Sequence, residues 1–214
     1  LAARRGGAAP IVNGCEYSSE LGVPSVHIDN AAASGDAVAH LIGLGHRDIG
    51  VITGPPISPI SRDRLTGATR VAERHGLADR LMVREGDYSA QSGFAQAPVL
   101  LQSGVTAIFC FSDEMAVGAL SAIAQAGLSC PHQVSVVGFD DLPLARFFQP
   151  ALTSVAQPKE QIGQRTVELL VDVLRGVAGP VRQVTLDHAL VVRSSTALAP
   201  QRGRSSRREK SSGS

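Results

Sequence analysis

The chain's polar residues gather where segments that read as strands give way to segments that read as helices. Asn13, Asp29, the stretch 54–61, Asp87 with Tyr88, Ser112 with Asp113, and Asp140 with Asp141 all lie at such junctions. Carboxylates and amides hydrogen-bond to hydroxyls, and Tyr88 offers a flat face for a sugar ring or a base. This set suits the binding of a small polyhydroxylated molecule. Asp, Asn, Ser and Gly also fill ordinary strand-to-helix turns for local reasons, and composition alone favours that plainer reading. Covalent chemistry is not indicated. There is no GxSxG, HExxH or GxxxxGK[ST] run, and no GxGxxG behind a strand. The six histidines are scattered, and His46 falls between a helix and a strand, where a loop or capping role is expected. Asp140 and Asp141 are adjacent and so point in different directions, which does not suit a facing acid/base pair. No enzymatic activity, cofactor or metal site is expected.

Those junctions depend on a scaffold of alternating elements. Short β-branched runs at 10–12, 25–28, 49–53, 81–85, 106–111, 134–138 and 153–156 read as strands, with two more near 181–186 and 189–193. Helical patterns fill most gaps. Asn30 is placed to cap a helix bearing Val38, Leu41 and Ile42 on one face and stopped by Gly43 and Gly45. Further helices are predicted over 61–75, over 89–102 with Pro98 kinking or shortening it, from a Ser112 cap to Gly127, and over 159–174. Strands and helices alternating at this spacing predict an α/β fold on parallel sheets. The uniformly apolar strands at 49–53, 106–111 and 134–138 call for helices on both sheet faces. Such sheets bind ligands at the carboxyl ends of their strands, where the polar residues lie.

With 214 residues, 43% hydrophobic and 18% charged, the chain can bury a core across one large domain or two lobes. Aromatics are only 4% and tryptophan is absent, so that core is expected to be Val, Leu, Ile and Ala. A net charge of +1 does not announce a nucleic-acid binder. Arg4 and Arg5 at one end, and Arg202, Arg204, Arg207, Arg208 and Lys210 at the other, read as solvated termini, with 199–214 a disordered basic tail. Cys15, Cys110 and Cys130 form no CxxC pair, and Cys110 lies in an apolar run that suits the core. No run of 18 apolar residues predicts a membrane span, and the first ten residues lack the apolar stretch of a secretion signal. A cytoplasmic protein without a membrane partner is expected.

Seven stretches are similar, in order and spacing, to regulators of the lactose/galactose-repressor (LacI/GalR) type. They are VHIDN (26–30), LGHRDIGVITGP (44–55), SRDRLTG (61–67), EGDYSAQSGF (85–94), TAIFCFSDEMAVGAL (106–120), VSVVGFDD (134–141) and PALTSVAQPKEQIG (150–163). The resemblance covers about 10–198, and the loop at 54–67 with Asn13 looks nearest the cytidine-repressor branch. It implies an α/β fold of the periplasmic-binding-protein type I class, two doubly wound parallel-sheet lobes with the effector between them. The N-terminal lobe would be 1–29 plus 156–187, and the C-terminal lobe 30–154 plus 188–198, with crossings near 29–30, 155–157 and 186–188. It also implies ligand roles: Asn13 contacts the effector from the first lobe, Arg64 bonds ligand hydroxyls, Tyr88 stacks on the ligand, Ser112 is a polar cleft position, Asp140 binds sugar hydroxyls, and Asp29 is a hinge acid near Arg64. Purine-responsive relatives carry Arg and Thr where this chain has Ser58 and Ile60, which argues against a free purine base.

The family's helix-turn-helix headpiece and the first units of its N-terminal lobe have no counterpart here, so a fragment, a late start or a natural truncation is expected. The implied function is ligand sensing in a transcriptional repressor. A sugar or nucleoside effector would control operator DNA binding through that headpiece, in a full-length protein that forms a homodimer. The alternative from the same fold is a sugar-binding receptor serving a transporter.

Overall fold

The computed structural model describes residues 9–17, 22–177 and 182–201. The basic ends and most of the tail assigned to 199–214 lie outside these residues. Of that tail, Ala199 is described, and its N–H donates to the Leu44 carbonyl at 2.9 Å.

The described residues build two sheets. The smaller is parallel, in the order β1 (Asn13–Gly14), β2 (Ser25–Ile28), β8 (Gln183–Leu186). Helix α5 (Lys159–Arg175) packs on β1 and β2 and buries Ile162 and Leu169. The larger sheet runs β4 (Leu81–Glu85), β3 (Ile49–Thr53), β5 (Ala107–Cys110), β6 (Ser135–Asp140), β7 (Thr153–Ala156), β9 (Ala189–Val191). Helices α1 (Asn30–Gly43) and α2 (Pro59–Arg74) pack on each other, as do α3 (Ala90–Gln102) and α4 (Asp113–Gln125). Right-handed crossovers put these pairs on opposite faces of the larger sheet. Every residue of β3 and β5 is accordingly buried.

Several local expectations shift. The β1 ladder is carried by Asn13 and Gly14, after the predicted 10–12. Strand β6 runs two residues past Gly138, so Asp140 ends it in register with Ala156. Strand β9 pairs antiparallel to β7. β8 and β9 lie in different sheets only two residues apart, so β9 must start near where β8 ends. α1 is capped by Asp29, whose Oδ1 accepts from the Ala32 N–H at 2.9 Å; Asn30 is already helical and buried. α2 starts early because Pro59 suits a first turn. α3 runs through Pro98 to Gln102, held by Ala97 and Leu100 on its buried face.

The core is not purely aliphatic. Phe109, Phe111 and Phe139 are fully buried, with the ring centres of Phe109 and Phe111 5.3 Å apart. His46, expected in a loop or capping role, is fully buried and bonds Thr106, Ser135 and the Ala197 carbonyl. β3 is flanked by β4 on one side and β5 on the other, so successive connections leave in opposite directions. The crevice this opens lies beyond Thr53 and Cys110, at the carboxyl ends of the two strands.

Candidate functional site

Arg64 lies at the centre of that crevice. It projects from the second turn of α2 and is only 3% exposed. Its Nε donates to Asn30 Oδ1 at 2.9 Å and its Nη1 to the Phe111 carbonyl at 2.6 Å. The guanidinium lies over the Phe139 ring, 3.5 Å from its centre. Nη2 makes no hydrogen bond to another described residue. Burial disfavours the charge, and Asp140, Tyr88, Glu16 and Cys15 favour it. The α2 arginine thus faces groups from β6, from the turn before α3, and from the turn after β1.

Asp140 faces it from the end of β6. Its carboxylate accepts from Gln157 Nε2 at 2.6 Å. Burial raises its pKa, while Arg64, Gln157 and Lys159 lower it. Arg64 and Asp140 attract each other, yet no ion pair closes between them. A buried donor and a half-buried acceptor held apart fit a hydroxylated molecule between them, which satisfies both. Asp141 turns elsewhere, into an ion pair with Arg193 at 2.7 Å, as expected for adjacent carboxylates.

Tyr88, held at φ 70°, has its ring over Gly54. A Cβ at that glycine would lie 2.1 Å from the ring, so the ring rests on bare backbone. Its hydroxyl bonds Ser61 Oγ. Ser112 Oγ accepts from the Met115 N–H at 3.1 Å and donates to the Tyr88 carbonyl at 3.2 Å. It therefore caps α4 and holds Tyr88. Asp29 is spent on its cap, and Asn30 makes the bond to Arg64. Asn13 is half-buried on β1, and two residues on, Cys15 lies in the field of Asp140 and Arg64. Tyr17 reaches from the same turn to α2 and donates its hydroxyl to Asp63.

Reading the carboxyl ends of strands misses Asn30, Cys15, Gln157 and Lys159. The last two follow β7, so the same rule applied to that strand finds them. Lys159 Nζ donates to the Asp140 and Asp141 carbonyls at 2.6 and 3.1 Å.

Asp113 opens α4, fully buried, and burial pushes its carboxyl up to about 6 against an ordinary 3.8. A folded-state pKa above the unfolded one means the folded state binds the proton more tightly. The group's contribution to stability is thus greatest below about pH 4 and is lost as pH rises through about 6. Urea unfolding of wild type and Asp113→Asn between pH 4 and 7 is expected to show the wild type losing ground to the variant across that window. A constant difference would contradict the assignment.

Among the described residues no cluster of His, Cys, Asp and Glu is arranged to hold a metal ion, and no helix is long and apolar enough to cross a membrane. A family model for a periplasmic binding protein-like domain matches residues 38–196. The HTH-type transcriptional repressor CytR of Escherichia coli (strain K12) is 38% identical over 194 residues, 89% of this chain and 57% of that protein. The chain thus spans little more than half the length of this curated relative. A LacI transcriptional regulator from a Rhodococcus species superimposes with a TM-score of 0.83 at 30% identity, over 90% of this chain and 71% of that one. A LacI family transcriptional regulator from Enterococcus faecium with bound ribose superimposes with a TM-score of 0.79 at 27% identity, over 85% and 68%. These relatives are regulators and not enzymes.

Proposed function

The chain belongs to the LacI family of transcriptional regulators, and from that premise we propose that it is the ligand-sensing part of a transcriptional repressor. A small sugar or nucleoside binds in the crevice between the two sheets. The observation that carries this reading is the buried Arg64 guanidinium, with Nη2 uncommitted, facing an Asp140 carboxylate with which it does not pair. Tyr88 supplies the flat wall, and Asn13 the approach from the smaller sheet. The ribose-bound Enterococcus faecium regulator supports a ligand of this class.

One lobe is the smaller sheet with α5 and the other is the larger sheet with α1 to α4, and the ligand favours one of their relative orientations. It shifts that equilibrium only by its differential affinity for the two orientations. Operator DNA is contacted by a helix-turn-helix outside these 214 residues, in a cytoplasmic homodimer. Leu144 and Phe147, 63% and 72% exposed on the turn after β6, are apolar surface that such a dimer covers.

Calorimetric titration with cytidine, adenosine, ribose and maltose tests the reading. One of these classes is expected to bind saturably. Asp140→Asn keeps the side chain's shape and tolerates the positive φ. It is expected to lose about 10- to 100-fold in affinity, the worth of a charged hydrogen bond, with an unchanged circular dichroism spectrum. Wild-type affinity in that variant would place the site elsewhere.

A further inference from the structure

The two aspartates that end β6 hold unusual backbone conformations. Asp140 has φ 103° and Asp141 has φ 46°, and neither is glycine. Non-glycine residues persist in this region only where their surroundings enforce it. The enforcing contacts converge on Asp113. Its Oδ2 accepts from the Leu142 N–H at 2.6 Å, and its Oδ1 accepts from the Ser154 hydroxyl at 2.5 Å. Ser154 Oγ in turn accepts from the Asp141 N–H at 3.0 Å. The carboxylate comes this close to β6 because residue 138 is glycine. A Cβ there would lie 2.2 Å from Asp113 Oδ1. Asp113 and Ser154 are both fully buried, so neither bond competes with water.

We infer that Asp113 is a positioning residue for ligand binding: through Ser154 and the Leu142 amide it clamps the Asp140–Asp141 turn and fixes where the Asp140 carboxylate points relative to Arg64. This rests on the reading of Asp140 as the ligand's acceptor. Asp113 touches no ligand; it acts through residue 140. Because it also opens α4 immediately after Ser112, which holds Tyr88, one helix N-terminus sets both the acid and the aromatic wall of the crevice. An amide at 113 can accept only one of the two hydrogen bonds, since its NH2 group turns a donor toward the other donor.

Two measurements on this chain separate the inference from the reading it rests on. The first needs no ligand. Amide hydrogen exchange at pH 7 is expected to show the Asp141 and Leu142 amides protected in the wild type. In Asp113→Asn they lose about tenfold or more of that protection, while the Val136 and Val137 amides keep theirs. The second is a double-mutant cycle, using whichever of cytidine, adenosine, ribose and maltose the wild type binds. Asp113→Asn is expected to lower affinity about tenfold in the wild-type background and to have no further effect in the Asp140→Asn background. Fast exchange at both amides in the wild type, or equal losses in the two backgrounds, overturns the inference. If Asp113→Asn does not fold, Ser154→Ala, which removes the link to the Asp141 amide, is read by the same criteria. If no probe binds, the proposed function fails while the exchange experiment still decides whether the clamp exists.

Discussion

Arg64→Lys is expected to fold and to lose at least about a hundredfold in affinity for the sugar or nucleoside, roughly 3 kcal/mol or two charge-assisted hydrogen bonds. The wild-type guanidinium divides its donors: Nε to Asn30, Nη1 to the Phe111 carbonyl, and Nη2 left for the crevice. Its plane also lies on Phe139. Lysine carries the charge but only one nitrogen, on a stem that cannot hold a fork. Seated against Asn30 and Phe111 it leaves the ligand without a donor, and turned toward the ligand it leaves two buried acceptors unpaired. Arg64→Leu removes the charge as well. It leaves Asn30 Oδ1 and the Phe111 carbonyl without their donor, at about 1–3 kcal/mol each. Asp140 then also loses the larger of the two cationic effects that oppose its desolvation, leaving Lys159. That variant is expected to lose binding entirely and to unfold several degrees earlier in a thermal scan. Calorimetry on the two variants checks both statements. Wild-type affinity in Arg64→Lys would mean the arginine is a structural prop and not a ligand donor.

Much of this site was legible as sequence because α/β geometry assigns strand ends to ligands in advance. Asp140 and the Tyr88 turn were placed that way, and α2 and α4 fell within two residues of their predicted starts. What remained hidden depends on contacts between distant residues. Asp29 and Asn30 are adjacent and both suit an N-cap, so local rules cannot say which one caps the helix and which turns inward. Arg64 decides it, by needing an acceptor 34 residues away. Asp113 reads as an acid suited to a helix start. Only the approach of β7 and the missing Cβ at Gly138 reveal that its carboxylate is buried. The antiparallel β9 was equally invisible, because it follows from two residues spanning two sheets, not from any pattern within the strand.

The same dependence on distant contact makes Gly67→Ala a severely damaging single methyl group to add near this site. Gly67 lies one turn beyond Arg64 on α2, where the two helices of that face meet. A Cβ there would lie 1.9 Å from the Ala31 carbonyl oxygen and 2.8 Å from its Cα. Those are backbone atoms of α1, which cannot rotate aside, so the helices must separate. Ala31 directly follows Asn30, so the separation also draws Asn30 Oδ1 away from Arg64 Nε. Alanine favours a helix over glycine by about 1 kcal/mol, which opposes the loss, but overpacking against rigid backbone costs about 1–3 kcal/mol and more when nothing yields. The variant is expected to melt several degrees lower, at roughly 2–4 °C per kcal/mol for a chain of this length, and to bind ligand more weakly. Gly163→Ala on α5 supplies the control. Beyond its own helix backbone and chain neighbours, no described atom lies within 4 Å of a Cβ there, so the helix-propensity gain stands alone and a small rise in melting temperature is expected. If Gly67→Ala were as stable as Gly163→Ala, the close contact of α1 and α2 would be wrong, and with it the placement of Arg64 against Asn30.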